Sequence, residues 1–234
     1  MLVFDVGAHR GQRTDVFLRL GARVIAIEPD PLNQRLLARR FSRNRYPGSP
    51  VTIVGKAASD ANAVATMWVH APGSGLNTLS RKWVQTLGRD VTRFGGIVEF
   101  AGGQQVETAT LESLIDSLGT PHYIKIDVEG HEPSVLRGLR HAVPFISFEV
   151  NLPEFLPEGI ECVGILASLA DGGRFNWSGD LQTDVALTEW LAAPEFVCAL
   201  RGCKEPSVEV FWKAPPVPAI AHSPSAKAEE AGSK

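Results

Sequence analysis

Three short stretches of this chain gather side chains that could do chemistry. Asp5-Val6-Gly7-Ala8-His9-Arg10-Gly11 joins an acid to two glycines and a histidine. Glu28-Pro29-Asp30-Pro31 sets two carboxyls around a proline. Lys125-Ile126-Asp127-Val128-Glu129-Gly130-His131-Glu132 packs a lysine, three acids and a histidine into one run, and Glu149 follows with Asn151 beside it. A glycine turn lets a backbone approach a ligand without a Cβ clash. If a helix opens behind it, free N–H groups can meet a carboxylate or phosphate. An acid at the end of a neighbouring strand can accept hydrogen bonds from both hydroxyls of a ribose. Glu28 stands seventeen residues after Gly11 and is placed for that role. Carboxylates and a histidine grouped at one strand end can take a proton from a weak nucleophile. Asp127, Glu129, His131 and Glu149 are the candidates.

The spacing discriminates between ligands. A dinucleotide fingerprint needs glycine at positions 7, 9 and 12, but position 9 is His and position 12 is Gln. The pattern acidic-x-Gly-x-Gly-x-Gly, associated with S-adenosylmethionine, is met at Asp5, Gly7 and Gly11 and fails only at His9. Each feature also has an ordinary structural reading. Glycine turns follow many strands, Glu28 could simply open a proline turn, and Glu129 and Glu132 would suit the dipole of a helix starting there. A histidine at such a start commonly points to solvent, so His131 is expected to matter less than Asp127. A metal held by Asp127 and Glu129 is a minority reading, since one acidic cluster brings no further ligands.

These residues need a frame, and the hydrophobic pattern supplies one. Leu2–Val6, Arg23–Ile27 and Val51–Val54 read as buried strands, with helices from about Thr14 to Leu20 and Leu32 to Phe41 between them. Near-continuous apolar strands alternating with helices indicate a parallel sheet covered on both faces. Between 63 and 108 the pattern changes. Ala65–His70 and Gly96–Phe100 alternate and are separated by glycine turns at Gly73-Ser74-Gly75 and Gly102-Gly103, which predicts short strands or a hairpin beside the main sheet. The loop Gly73-Ser74-Gly75-Leu76-Asn77, between Trp68 and Trp83, could line an acceptor pocket, although ordinary packing is the favoured role for the two tryptophans. The rhythm then resumes: a helix at Leu111–Leu118, a strand at Tyr123–Val128, a helix to about Leu139, and a strand at Phe145–Val150. A helix near Cys162–Leu169, a strand near Arg174–Trp177 and a last strand at Val208–Trp212 complete it. Residues 1–214 are expected to form one domain. From Pro215 onward the chain is rich in Pro, Ala and Ser without apolar period, and a disordered tail is expected there.

Composition narrows the classes. With 23 basic and 26 acidic side chains the net charge is −3, which disfavours a nucleic-acid binder. Three cysteines, two of them Cys198 and Cys203, make neither a disulfide framework nor a zinc site. No apolar run approaches the length of a membrane helix and no signal peptide is visible, so a cytoplasmic protein without membrane contact is expected.

The motifs together resemble the FkbM-type methyltransferases. The resemblance is carried by Asp5-Val6-Gly7-Ala8, Glu28-Pro29-Asp30-Pro31, Ala57-Ala58-Ser59-Asp60, Thr110-Leu111-Glu112-Ser113-Leu114, the Lys125–Glu132 run and Phe148-Glu149, in order, to about residue 150. It implies the doubly wound, Rossmann-like class I methyltransferase fold: an α/β protein with a seven-stranded, mostly parallel sheet whose last strand is antiparallel. It implies S-adenosyl-L-methionine as methyl donor, held by Asp5, Gly7, Ala8, Gly11, Glu28, Ala57 and Ser59. It also implies O-methylation of a small-molecule acceptor, a sugar or secondary metabolite. The chain departs from the family at His9, where Asn is common. Two other readings stand beside it: an NAD-linked oxidoreductase or epimerase, against which positions 9 and 12 count, and a binding module that keeps the fold without turnover.

Overall fold

The computed structural model describes residues 1–42, 51–90, 95–179 and 184–216. Beyond Pro216, the segment expected to be disordered lies outside the described residues. The chain opens on β1 (Leu2–Val6), α1 (Gln12–Arg19), β2 (Arg23–Ile27), α2 (Pro31–Arg40) and β3 (Val51–Val54). All three strands have the bounds their apolar runs predict. The start of α2 is locally encoded. Asp30 accepts hydrogen bonds from the N–H groups of Leu32 and Asn33 (2.7 and 3.3 Å), and Pro31 occupies the first turn, where its missing N–H is not needed.

The middle of the chain holds β4 (Ala57–Ala58), β5 (Val64–Val69), α3 (Arg81–Leu87) and β6 (Gly102–Ala109), followed by α4 (Leu111–Leu118) and β7 (Tyr123–Ile126). β4, β6 and β5 form a separate three-stranded sheet, with β5 antiparallel to β6. The hairpin beside the main sheet is therefore present, but its second strand is displaced. Gly96–Phe100 is not a strand: Ile97 is exposed, and Val98 packs with Trp83, Leu87 and Phe155 in a small cluster. Gly102-Gly103, expected as a turn, begins β6. At Gly103 a Cβ would lie 2.4 Å from the Thr66 methyl, so the glycine lets the two strands close up.

The remainder is α5 (Glu132–Arg137), β8 (Phe145–Asn151), α6 (Leu156–Leu169), β9 (Arg174–Ser178), α7 (Ala193–Arg201) and β10 (Ser207–Lys213). α6 starts six residues before the predicted helix, because Pro157 and Gly159 interrupt the sequence pattern; the proline sits in the first turn and the glycine packs against Val150. α7 was not foreseen. It buries Phe196 and Leu200, and the Phe196 ring lies 5.2 Å from Phe175 and 5.5 Å from Trp177.

The main sheet has seven strands in the order β3-β2-β1-β7-β8-β10-β9. β10 runs antiparallel to both β8 and β9, while β1, β2, β3, β7 and β8 are parallel neighbours. This is the sheet that the family resemblance implies, with its last strand inserted as expected. The order reverses between β1 and β7, and ligands in open α/β sheets bind at such a switch point, outside the carboxyl ends of the strands. Among the described residues no helix is long and apolar enough to cross a membrane.

Candidate active site

A cavity open to solvent, with about 550 Å³ of space between its walls and mouth, lies at that switch point. Its walls come from the ends of β1, β2 and β7, from the β4 turn, and from a loop spanning 70–78 that closes over the top. Gly7, Glu28, Ala57, Asp127, Glu129 and His131 are in the wall. Asp5, Ala8, Gly11 and Ser59 lie behind it, and Glu149 borders a smaller neighbouring pocket.

The two glycines of the first motif are needed by the protein itself. Gly7 has φ +78°, and a Cβ there would lie 1.8 Å from the Asp127 carbonyl oxygen, because β1 and β7 leave the sheet side by side. Gly11 also has φ +78°, and its Cβ would meet the Phe41 and Leu37 side chains at 2.5 and 2.8 Å. Glycine at these points fixes how α1 and α2 pack and how the Asp127 loop leaves the sheet. Ala8 packs with the same Leu37 and Phe41. Asp5 is fully buried beneath the cavity and accepts a hydrogen bond from the Thr14 hydroxyl at 2.5 Å. Burial pushes its carboxyl above the usual range, against the pull of Lys125.

Glu28 is buried at the cavity edge. One carboxylate oxygen accepts the N–H of His9 and the other the N–H of Asp30, each at 2.8 Å. Burial nevertheless pushes its carboxyl up to about 7. Asp30, which the sequence reading left without a role, is the anchor of the covering loop. While one oxygen caps α2, the other accepts the Gly73 N–H (2.8 Å) and the Asn77 side-chain amide (2.9 Å). The His9 ring, on a backbone with φ 49°, lies 2.9 Å from the Gly73 carbonyl oxygen. On the far side Thr78 donates to the Glu129 carbonyl at 2.8 Å. The loop is thus pinned at both ends, and Ser74, Gly75 and Asn77 reach the cavity. Trp83 packs edge-on against Phe155, 5.4 Å between ring centres, and Arg81 sits over the Trp68 ring, as the packing alternative has it.

The acidic run resolves into distinct roles. Asp127 accepts a hydrogen bond from Lys125 Nζ at 2.6 Å. Burial opposes the Lys125 charge, but Asp127, Asp5 and Glu209 outweigh it and hold the ammonium above its ordinary range. Glu129, at φ 56°, has its carboxyl pushed well up by burial and by Asp127 and Glu149. Glu132 turns inward, where one oxygen accepts the N–H groups of Val128 and Gly130 (3.0 and 3.3 Å) and burial raises the carboxyl to about 8. Asp127, Glu129 and Glu149 each bring a carboxylate oxygen within 4.8 Å of the others. Glu149 is itself held by Ser207 (2.9 Å) and Asn151 (3.1 Å).

His131 departs from expectation. It does not point to solvent; its Nε2 lies 3.0 Å from Ser59 Oγ, and its ring forms part of the cavity wall. Burial pushes its pKa down to about 4, so it is neutral at neutral pH and keeps a lone pair. No sequence signal marked this, because Ser59 is 72 residues away. The lining contains carboxylates, the His9 and His131 rings, amide and hydroxyl side chains and backbone, and among the described residues no lysine or arginine. Such a site can accept protons and hold hydroxyl or amino groups, and it is poorly suited to a phosphate.

The comparisons with known proteins agree with this geometry. The family described as Methyltransferase FkbM domain matches residues 5–170. A crystal structure of an FkbM methyltransferase from Methylobacillus flagellatus KT aligns with TM-score 0.55 at 15% identity, covering 90% of this chain and 43% of that one. This chain therefore spans less than half the length of that relative. The precorrin-6y C5,15-methyltransferase of Geobacter metallireducens GS-15 aligns with TM-score 0.44 at 11% identity, over 92% of this chain and 80% of that one. A TehB-like SAM-dependent methyltransferase of Corynebacterium glutamicum also gives 0.44, at 8% identity and the same coverages. No curated protein matches the chain. The matched span takes in the glycine turn, Glu28, the Asp127 run and Glu149, on a class I methyltransferase sheet, and the chain belongs to the FkbM methyltransferase family.

Proposed function

We propose that residues 1–214 form an S-adenosylmethionine-dependent methyltransferase acting on a hydroxyl of a small polar acceptor, a sugar or secondary metabolite. The observation that carries this reading is the cavity at the β1/β7 switch point, with Glu28 at one wall and Asp127, Glu129 and His131 at another. The family implies the cofactor, and the residues present suit it: an acid at the end of β2 faces the space where a nucleoside would lie. Glu28, with the Gly7 and His9 backbone, would hold the nucleoside, and Ala57 would bound it. Asp5, Ala8 and Gly11 support that turn from behind, and Ser59 orients His131. When bound, the cofactor supplies an activated methyl group and its own leaving group.

The protein's part is to place the acceptor hydroxyl in line and to take its proton. Asp127 leaves the rigid sheet at the end of β7, and Lys125 fixes its carboxylate from below. It is the group assigned to orient the hydroxyl and receive the proton. His131, neutral and lodged against Ser59, is a second proton acceptor. The pinned 70–78 loop excludes water from above.

Calorimetric titration tests the reading. S-adenosylhomocysteine should bind and NAD should not. Glu28→Ala should weaken S-adenosylhomocysteine at least about tenfold, the scale of one hydrogen bond to a charged group. Comparable affinity for NAD, or an unchanged dissociation constant in folded Glu28→Ala, would refute it.

A further inference from the structure

Each Glu28 oxygen takes one backbone N–H and keeps a further lone pair for a ligand. A different atom in the same wall is free. Asn33, in the first turn of α2, is 1% exposed and borders the cavity beside Glu28 and Pro29. Its side-chain oxygen is buried and has no hydrogen-bond partner. The Asn33 side chain also acts on the Glu28 carboxylate and favours its charged form.

A buried acceptor without a donor is destabilising, and such exceptions in a folded protein call for a physical account. The surrounding chain gives this one no donor. Gly73 crosses above it with φ +71°, and a Cβ there would lie 3.2 Å from Asn33 Oδ1 and 3.0 Å from Leu32. A side chain at 73 would crowd the carbonyl.

Building on the cofactor reading above, we propose that Asn33 Oδ1 is a further ligand contact of this cavity, accepting a hydrogen bond from a hydroxyl or amino group of the bound nucleoside. Asn33 and Glu28 then act as one unit. Glu28 and the amide present their acceptors side by side. A nucleoside carrying phosphate at this point would face a carboxylate and a carbonyl and is rejected; a free hydroxyl or amine is received.

The experiment is a cycle between protein and ligand. The wild type, Asn33→Leu and Asn33→Ala are titrated with S-adenosylhomocysteine and with three analogues, lacking the 2′-hydroxyl, the 3′-hydroxyl or the 6-amino group. Thermal melts check that each variant is folded, and the alanine variant guards against overpacking by leucine. The expected result is that both variants bind S-adenosylhomocysteine about tenfold more weakly. One analogue should bind wild type and variants alike, and that analogue identifies the donor as ribose or base. Folded variants with wild-type affinity, or with the same loss for every ligand, overturn the assignment and leave the cofactor reading intact. Failure of the wild type to bind S-adenosylhomocysteine overturns both.

Discussion

The two faces of the central sheet are built on opposite principles. Side chains alternate across each strand, so residues paired in register share a face. On one face Phe4, Ile124, Ile146 and Trp212 form a continuous rank, with Val6, Ile126, Phe148 and Val210 in the next, all essentially inaccessible to water. On the other face the register aligns Asp5, Lys125 and Ser147, with Glu209 nearby on β10, and these too are buried. The first face stabilises by removing apolar area from water. The second holds carboxylates around one ammonium and leads directly to Asp127 at the cavity. Burying this charge is expensive, and the sheet offsets it with the apolar rank behind it. Stability and chemistry are thus assigned to alternate residues of the same strands.

Six substitutions at five positions probe that division, beginning where the effect should be greatest. Trp212→Ala on the apolar face should lower unfolding free energy by about 4 kcal/mol, by lost transfer and an unfilled cavity. Trp212→Phe should cost under about 1.5 kcal/mol, since it keeps most of the ring and removes a buried indole N–H that has no partner. Urea denaturation measures both, and similar losses would mean the indole is not a packing element.

Lys125→Met, on the charged face, should cost about 3 kcal/mol near neutral pH because Asp5, Asp127 and Glu209 lose their cation. The Asp5 and Glu209 carboxyls, already raised by burial, then titrate still higher in the folded state. Their protonated forms favour folding, so the deficit should shrink as pH falls towards about 4, the range of unfolded carboxyls. A deficit independent of pH would make Lys125 a packing residue only.

Asp127→Asn keeps shape and removes charge, and should reduce turnover by about a hundredfold once an acceptor is in hand. His131→Ala should reduce it less. Single-turnover rates at saturating cofactor decide, and an inactive His131 variant beside a normal Asp127 variant would exchange their roles.

The smallest effect concerns Glu132, whose folded-state carboxyl is raised to about 8 by burial. A raised acid contributes stability that is complete below the unfolded carboxyl range and is lost as pH rises through about 8. Glu132→Gln can still accept from Val128 and Gly130 through its oxygen and does not ionise. It should melt higher than wild type near pH 9, by about 1 kcal/mol or more, and have a flatter pH profile. Identical profiles would show that Glu132 is not the residue that ionises.

Much of the frame was legible in the residue order. The bounds of β1, β2, β3 and α4 follow from their apolar runs, and the antiparallel direction of β10 follows from the family resemblance. The failures have local causes. Gly96–Phe100 alternates as a strand does, but its apolar residues serve a cluster under Trp83. α7 has too short a period to stand out, and its apolar face acquires meaning only against Phe175 and Trp177. At the site, Asp127 and Glu28 were correctly placed at strand ends, whereas Asp30 as loop anchor, His131 against Ser59 and the orphaned Asn33 carbonyl were not visible.

By itself, then, the sequence determined which segments become strands and helices and which polar residues stand at their ends. Periodicity, caps and turns act over a few residues, so the chain carries that information locally. Only the tertiary structure decided where each polar atom finds its partner. Asp30 reaches Gly73 and Asn77 across 43 and 47 residues, and Ser59 reaches His131 across 72. Those pairings depend on strand order and on how deeply each group is buried. Burial also moves Glu28 to about 7, Glu132 to about 8 and His131 to about 4, in directions that residue type alone cannot specify.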